Sequence, residues 1–215
     1  MAIIHRTTLT PSKTELLSAW LPSRPWYRGT DRDPELVKAG GFRLDDPAGE
    51  VGIEFMVVVH VEGEQAVAYH APLTYRGSPL DDAQDALIGT TEHGVLGRRW
   101  VYDGTRDPVL VAQLSALLHG TAVPQAQSIN DTPDPTVLIE PLAGADGPSP
   151  GFMASDDAAC TVLSTGGTGA LAVRVHRVLQ PVTGASVLPP GSVTATWRLA
   201  DDAQLRGVFI TSGPA

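Results

Sequence analysis

The segment Thr90-Thr91-Glu92-His93-Gly94 places a carboxylate beside an imidazole, and such a pair could act as a general acid and base. Adjacent residues of a strand point to opposite faces, which argues against a shared acid–base role. A metal site is also disfavoured, because the sequence offers no clear third ligand. We favour a solvated loop. If the first half has a functional loop, its candidate binding residues are Glu92, His93, Arg98, Arg99 and Trp100.

Aromatic residues suggest a second kind of site, because flat sugar faces stack on aromatic rings. Trp26 and Tyr27 stand in a turn rich in Pro and Gly, and with Trp100 they could form such a platform. Trp20 falls on the apolar stripe of a predicted helix, so it is assigned to the core. For Trp26 and Tyr27 both interpretations stay open, and core packing is favoured.

The Gly166-Gly167-Thr168-Gly169 segment resembles a phosphate-binding loop only in its glycines. It has no following Lys and no following helix, so a hairpin turn is the favoured interpretation. The six histidines are scattered. The sequence therefore predicts no catalytic residue, no metal ligand and no cofactor.

Composition excludes several classes of partner. The 215 residues carry a net charge of −9, which argues against nucleic acid, and 42% are hydrophobic, enough for a core. No membrane span is expected, since the longest apolar run, residues 55–59, is short. Cys160 is the only cysteine and residues 1–10 lack an apolar signal region, so the reducing cytoplasm is the expected compartment.

The elements that position the candidate residues begin with a helix. Thr10 is its predicted cap, Ser12 to Glu15 reads as a capping box, and Pro22 ends it. Antiparallel strands are predicted at 41–44, 51–61 and 65–75, a helix-forming stretch at 80–87, and a short strand at 100–102. Asp107-Pro108 opens a helix that Gly120 closes.

We expect an α+β fold divided into three parts. Residues 1–122 form the first unit, and residues 151–215 form a mostly antiparallel β unit. Residues 123–150, which are rich in turn residues, Gly and Pro, connect the two units. Strands are predicted in the last two parts at 136–140, 160–164, 171–179, 193–200 and 206–211.

The opening of the chain resembles that of actinobacterial maltokinases. Trp20-Leu21-Pro22 and Arg24-Pro25-Trp26-Tyr27-Arg28-Gly29 carry the resemblance, and residues 51–75, 88–90 and 102–118 extend it to cover about 8–120. The resemblance implies a maltokinase N-terminal cap-like domain: helices on a curved antiparallel sheet, cystatin-like in outline.

The second half is similar to the small lobe of a kinase, in residues 160–163 and 171–179. In the family this hairpin carries the phosphate-binding lysine, and the matching position here holds Arg174. Arginine keeps the positive charge, but its planar guanidinium group is bulkier than the lysine ammonium group, which disfavours nucleotide binding. The chain also lacks an H-G-D-type catalytic loop and the following Asp that holds Mg²⁺. We therefore expect a stand-alone cap followed by a degenerate small lobe.

Three functions follow from the resemblance and the candidate residues. The leading one is a non-catalytic accessory or regulatory protein of trehalose, maltose or glycogen metabolism, which binds an enzyme of α-glucan metabolism or a second copy of itself. The second is a module that binds α-glucan or a small sugar on Trp26, Tyr27 and Trp100. The third is a maltokinase-like phosphotransferase completed by a partner chain.

Overall fold

The computed structural model of the protein describes residues 8–30, 32–63, 65–129, 131–142, 151–164, 171–182, 188–199 and 202–214. These residues form a mostly antiparallel sheet with few helices, so the predicted α+β class is confirmed at this level. Among them, no helix has the length and hydropathy needed to cross a bilayer. Residues 166–169 lie outside the described ranges.

The chain opens with β1 (Leu9–Thr10) and α1 (Lys13–Trp20). The predicted capping box is present: Glu15 N donates to Ser12 Oγ (3.3 Å), and Ser12 N donates to the Glu15 carboxylate (2.7 Å). The cap is Ser12, so the prediction of Thr10 was wrong, because Thr10 belongs to β1.

A three-stranded meander follows: β2 (Leu36–Leu44), β3 (Gly52–Glu62) and β4 (Gln65–Arg76). All three pair antiparallel, as predicted. Both faces of β3 are buried, and the predicted face that contains Phe55 and Val57 lies in the main core.

The prediction of a helix-forming stretch at 80–87 was wrong. Only the single turn Gln84–Ala86 is helical, of the 3-10 type, and β5 (Leu87–His93) follows it at once. β5 pairs with β6 (Gly97–Asp103), and in the stretch before it Asp82 has a φ of 56°, which a right-handed helix does not allow. The segment around Glu92 is therefore the end of a hairpin strand.

The second predicted helix is confirmed as α2 (Pro108–Leu118). Asp107 caps it, with its side chain accepting from Val109 N (2.9 Å), and Gly120 follows with a φ of 69°. Leu110, Leu114 and Leu117 bury one side of α2 in the main core.

The remaining strands are β7 (Gln125–Ala126), β8 (Leu138–Glu140), β9 (Met153–Asp156), β10 (Cys160–Ser164), β11 (Leu171–His176), β12 (Val178–Leu179), β13 (Ser192–Arg198) and β14 (Gln204–Pro214). Of these, β7 and β9 were not predicted. β7 pairs with β2 and β8 pairs with β13, so the predicted connecting region contributes strands to the sheet.

The sheet is continuous from the first half of the chain to the second and returns to its starting point. β13 pairs with β2 at Trp197 and Gly40, and β12 pairs with β4 at Val178 and Tyr69. The strands β4, β3, β2, β13, β14 and β11–β12 thus form a closed series, which we call the strand ring. The division at residues 122 and 150 stays a prediction.

One edge of β4 is shared by two partners. Ala68 and Tyr69 pair with β12, whereas residues 73–76 pair with β6. His70 N donates to Arg177 O (2.8 Å), so by the period of two the amide position of Pro72 faces the same edge. Proline has no N–H, and the change of partner therefore leaves no donor unpaired there.

Two apolar clusters lie on opposite faces of this sheet. The main core, inside the strand ring and under α2, contains Phe42, Phe55, Phe209 and Trp197. The second core joins α1 and the turn after it to the outer face through Leu17, Trp26, Met56 and Tyr69.

Candidate functional site

The candidate residues of the first half gather at the tip of the β5–β6 hairpin. His93 Nδ1 accepts the backbone amides of Val95 (3.2 Å) and Leu96 (3.0 Å), which fixes the turn. This leaves Val95 61% and Leu96 45% exposed at the end of the hairpin. The structure thus presents two adjacent aliphatic side chains to solvent, a feature that the sequence reasoning did not single out.

Charged residues flank this tip. Glu92 and Arg98 are directly opposite across the hairpin, and Arg98 Nε donates to Glu92 Oε1 (2.9 Å). Arg99 Nη2 donates to Leu96 O (2.8 Å), so one arginine supports the turn and the other pairs across it. Glu92 thus accepts from Arg98, while His93 Nδ1 accepts from the turn.

The three aromatic candidates do not form one platform. Trp26 is fully buried, packed at 5.6 Å from the Trp20 ring and 6.1 Å from the Tyr69 ring, so it belongs to the core. Tyr27 is half-buried and stacks on Tyr69 at 5.7 Å. Trp100 is also half-buried, but it pairs with Arg76 near the other end of β4.

The separation follows from strand geometry. Tyr69 and Arg76 are seven residues apart on β4, or about 23 Å at the rise of an extended strand. Tyr27 stacks on Tyr69, whereas Trp100 is the strand partner of Arg76. The two aromatic side chains therefore offer no common face to one sugar ring.

Arg174, the position that resembles a nucleotide-binding lysine, lies on β11 with its side chain exposed. Its nearest ionic partner is Asp157, whose carboxylate lies 3.8 Å away and is equally exposed. Such an exposed pair is weak and does not by itself define a phosphate site.

Sequence reasoning missed a buried network that joins the two halves. Arg177 Nη2 donates to the Asp103 carboxylate (2.6 and 2.7 Å) and to Thr105 Oγ1 (2.9 Å), and Arg177 Nε donates to Thr161 Oγ1 (2.7 Å). The guanidinium also lies 5.1 Å from the Trp26 ring centre. No local pattern reveals this pair, because Asp103 and Arg177 are 74 residues apart.

The electrostatics of the network are those of a structural pair. Burial alone raises the pKa of the Asp103 carboxyl, but the Arg177 guanidinium and the Thr105 hydrogen bonds outweigh it, so the pKa is lowered. Asp103 is therefore ionised at neutral pH, and its charge is neutralised inside the protein.

A second buried carboxylate, Glu54, fixes the start of α1. Lys13 Nζ donates to it, as do Tyr75 Oη (2.8 Å) and Gln127 Nε2 (3.0 Å). Burial raises the pKa of Glu54, yet the nearby lysines outweigh it and lower the pKa. With its oxygens taken up by these partners, Glu54 has a positioning role. Across the described ranges, no three His, Cys, Asp or Glu residues are placed to hold a metal ion.

The first half thus has the architecture of a small α+β domain in which α1 packs on an antiparallel sheet. Residues 20–107, from the last residue of α1 to the cap of α2, match the family model of the maltokinase N-terminal cap domain. The predicted resemblance is confirmed over this part of the chain, and it indicates a maltokinase-related origin. A comparison with curated proteins finds no match.

Proposed function

We propose that this chain is a non-catalytic accessory or regulatory module of α-glucan metabolism, linked to trehalose, maltose or glycogen, that binds an enzyme of that metabolism through the tip of the β5–β6 hairpin. The observation that carries the proposal is the exposed Val95–Leu96 pair, which lies inside the part of the chain that matches the cap domain.

The composition of the tip supports a protein partner. Two aliphatic side chains at the centre are flanked by Arg98, Arg99 and the half-buried Trp100, and Arg and Trp are enriched among residues that dominate binding energies. The tip is held rigid by His93 and Arg99, so little conformational entropy is lost on docking.

The sequence supports the non-catalytic part of the proposal. These 215 residues contain neither an H-G-D-type loop nor a following Mg²⁺-binding Asp. We further propose that the first half has a cystatin-like outline, since α1 packs across an antiparallel sheet, and that the second half is a degenerate kinase small lobe with Arg174 at the former lysine position.

The test is affinity capture of proteins from a lysate of the source organism, with the whole chain as bait. We expect enzymes that act on maltose, trehalose or glycogen to be enriched, and to be lost when Val95→Asp and Leu96→Asp are combined. Val123→Asp, an exposed valine outside the hairpin, is the matched control and should capture the same enzymes.

The proposal fails if no enzyme of α-glucan metabolism is enriched over a bait-free control. It also fails if the captured enzyme binds the Val95→Asp/Leu96→Asp variant as well as the unchanged chain. A direct titration with the purified enzyme should then reproduce the difference between the hairpin variant and the Val123→Asp control.

A further inference from the structure

A nucleophile and a base meet on the outer face of the second half, away from the hairpin. Cys160 and His176 are directly opposite in the β10–β11 pair, and Cys160 Sγ lies 3.6 Å from His176 Nδ1. His176 Nε2 lies 3.1 Å from Thr211 Oγ1 on β14. The three side chains form a chain of contacts across three neighbouring strands.

The proton transfer requires one tautomer of the imidazole. For His176 to accept the thiol proton, Nδ1 must be unprotonated, and in that tautomer Nε2–H donates to Thr211 Oγ1. A nucleophile beside a base, which is in turn oriented by a third group, is the arrangement that activates thiols. Thr211 is therefore a positioning residue for His176.

We propose that Cys160 is a modification site for small anionic disulfides, with His176 as the base that accepts its proton. The sulfur attacks one sulfur of the disulfide while Nδ1 takes the thiol proton. The S–S bond of the reagent breaks, a mixed disulfide forms on Cys160, and half of the reagent leaves as a thiolate; the proton on His176 passes to that thiolate, or to water where the thiolate is a weak base. The protein sulfur is oxidised and half of the reagent is reduced to a thiol.

Burial determines the protonation of this pair. Cys160 is 8% exposed and His176 is half-buried, so the pair lies just beneath the surface. Burial raises the pKa of Cys160 and lowers the pKa of His176, so both groups are neutral at rest and both shifts oppose the proton transfer; the reaction therefore depends on the contact between Cys160 Sγ and His176 Nδ1.

The preference for an anionic reagent comes from Arg174. It lies two residues before His176 on β11, opposite Thr211 in the β11–β14 pair, and its side chain is exposed. Asp157 lies 3.8 Å from it but is equally exposed, so solvent screens this pair and leaves Arg174 able to attract the carboxylates of a reagent.

The test uses the folded full chain, in which Cys160 is the only thiol. The probe is 5,5′-dithiobis(2-nitrobenzoate), a dianionic disulfide whose released thiolate is coloured. We expect a rate proportional to probe concentration, and a rate roughly 10- to 100-fold slower for His176→Gln. Because an unfolded variant would expose the thiol and react faster, a slower rate cannot come from unfolding.

Two further pairs of measurements sharpen the test. Thr211→Val should slow the reaction and Thr211→Ser should restore it, because serine keeps the hydroxyl that orients His176. Arg174→Gln should slow the anionic probe and leave a neutral dipyridyl disulfide unaffected. If the His176→Gln variant does not fold, the comparison of Thr211→Val with Thr211→Ser tests the proposal.

The proposal is overturned if the native rate does not depend on probe concentration, since the thiol would then react only after unfolding. It is overturned equally if His176→Gln in a folded chain, or Thr211→Val, reacts as fast as the unchanged protein. The hairpin proposal does not depend on either outcome, because none of these residues lies in β5 or β6.

Discussion

The two ends of β6 carry the same kind of ion pair in opposite environments. At the hairpin tip, Arg98 pairs with Glu92, and their side chains are 62% and 60% exposed. At the other end, Asp103 pairs with Arg177, and the side chains are 2% and 0% exposed. One strand of seven residues therefore runs from the solvent to the interior of the protein.

This difference indicates which end of β6 contributes to stability and which end is available for recognition. An exposed pair contributes little to folding, so its charges can be rearranged when a partner binds. A buried pair cannot lose one member without leaving an uncompensated charge in the interior. We infer that the buried end of β6 holds the two halves together and that the tip is available for contacts.

The largest expected effect comes from breaking the buried pair. Arg177→Met leaves the Asp103 carboxylate buried without its cation, and we expect a loss of about 3–5 kcal/mol in the free energy of unfolding. Urea unfolding followed by tryptophan fluorescence measures it. The double variant Asp103→Asn/Arg177→Met removes both charges and should be less destabilised than Arg177→Met alone. A single-variant loss below about 1 kcal/mol would contradict the structural role.

An intermediate effect should appear as the pH is lowered. Burial lowers the pKa of His70, whose amide joins β4 to Arg177, to about 3, below the unfolded value of about 6.5. A depressed pKa contributes stability that is complete above the unfolded pKa and is lost as the pH falls towards the folded one. The loss from pH 6.5 downwards should approach about 1.4 kcal/mol per pH unit.

The His70 effect is measured by urea unfolding at a series of pH values between the unfolded pKa and the range where carboxylates titrate. His70→Phe should flatten the profile in that window, because the variant lacks the group that titrates there. An equal slope in the His70→Phe variant would show that another group is responsible.

The smallest effect should come from the exposed pair. Arg98→Gln is expected to change the free energy of unfolding by no more than about 0.5 kcal/mol, and the change should diminish further at high salt. The same urea titration, run at low and high salt, provides the measurement. A loss comparable to that of Arg177→Met would remove the contrast between the two ends of β6.

Local patterns predicted the parts of the fold that local physics determines. α2 was recognised because Asp107-Pro108 and Gly120 mark its ends, and the β3–β4 pair because alternation and a short loop define it. The stretch at 80–87 was mispredicted because Asp82 adopts a positive φ of 56°, which ends any right-handed helix, and only Leu87 of this stretch joins β5. β9 was missed because Met153–Asp156 has only four residues, of which two are polar, too few to show an alternating pattern.

The sequence predicted which residues belong to the candidate site better than it predicted how they are arranged. The sequence grouped Glu92, Arg98 and Arg99, since Gly94 and Gly97 mark a turn, but it gave no reason to single out Val95 and Leu96. The Asp103–Arg177 pair was beyond local reasoning, because the closure of the strand ring brings together residues from distant parts of the chain.

Pro72 constrains how this protein can vary in length. It lies where β4 changes partner: the residues before it pair with β12 and the residues after it pair with β6. The distance along the chain from Pro72 to each paired segment is therefore fixed. Inserting one residue beside Pro72 would turn the following side chains to the opposite face and place an unpaired amide at the junction. We therefore expect natural and engineered length changes in the loops and not within this strand.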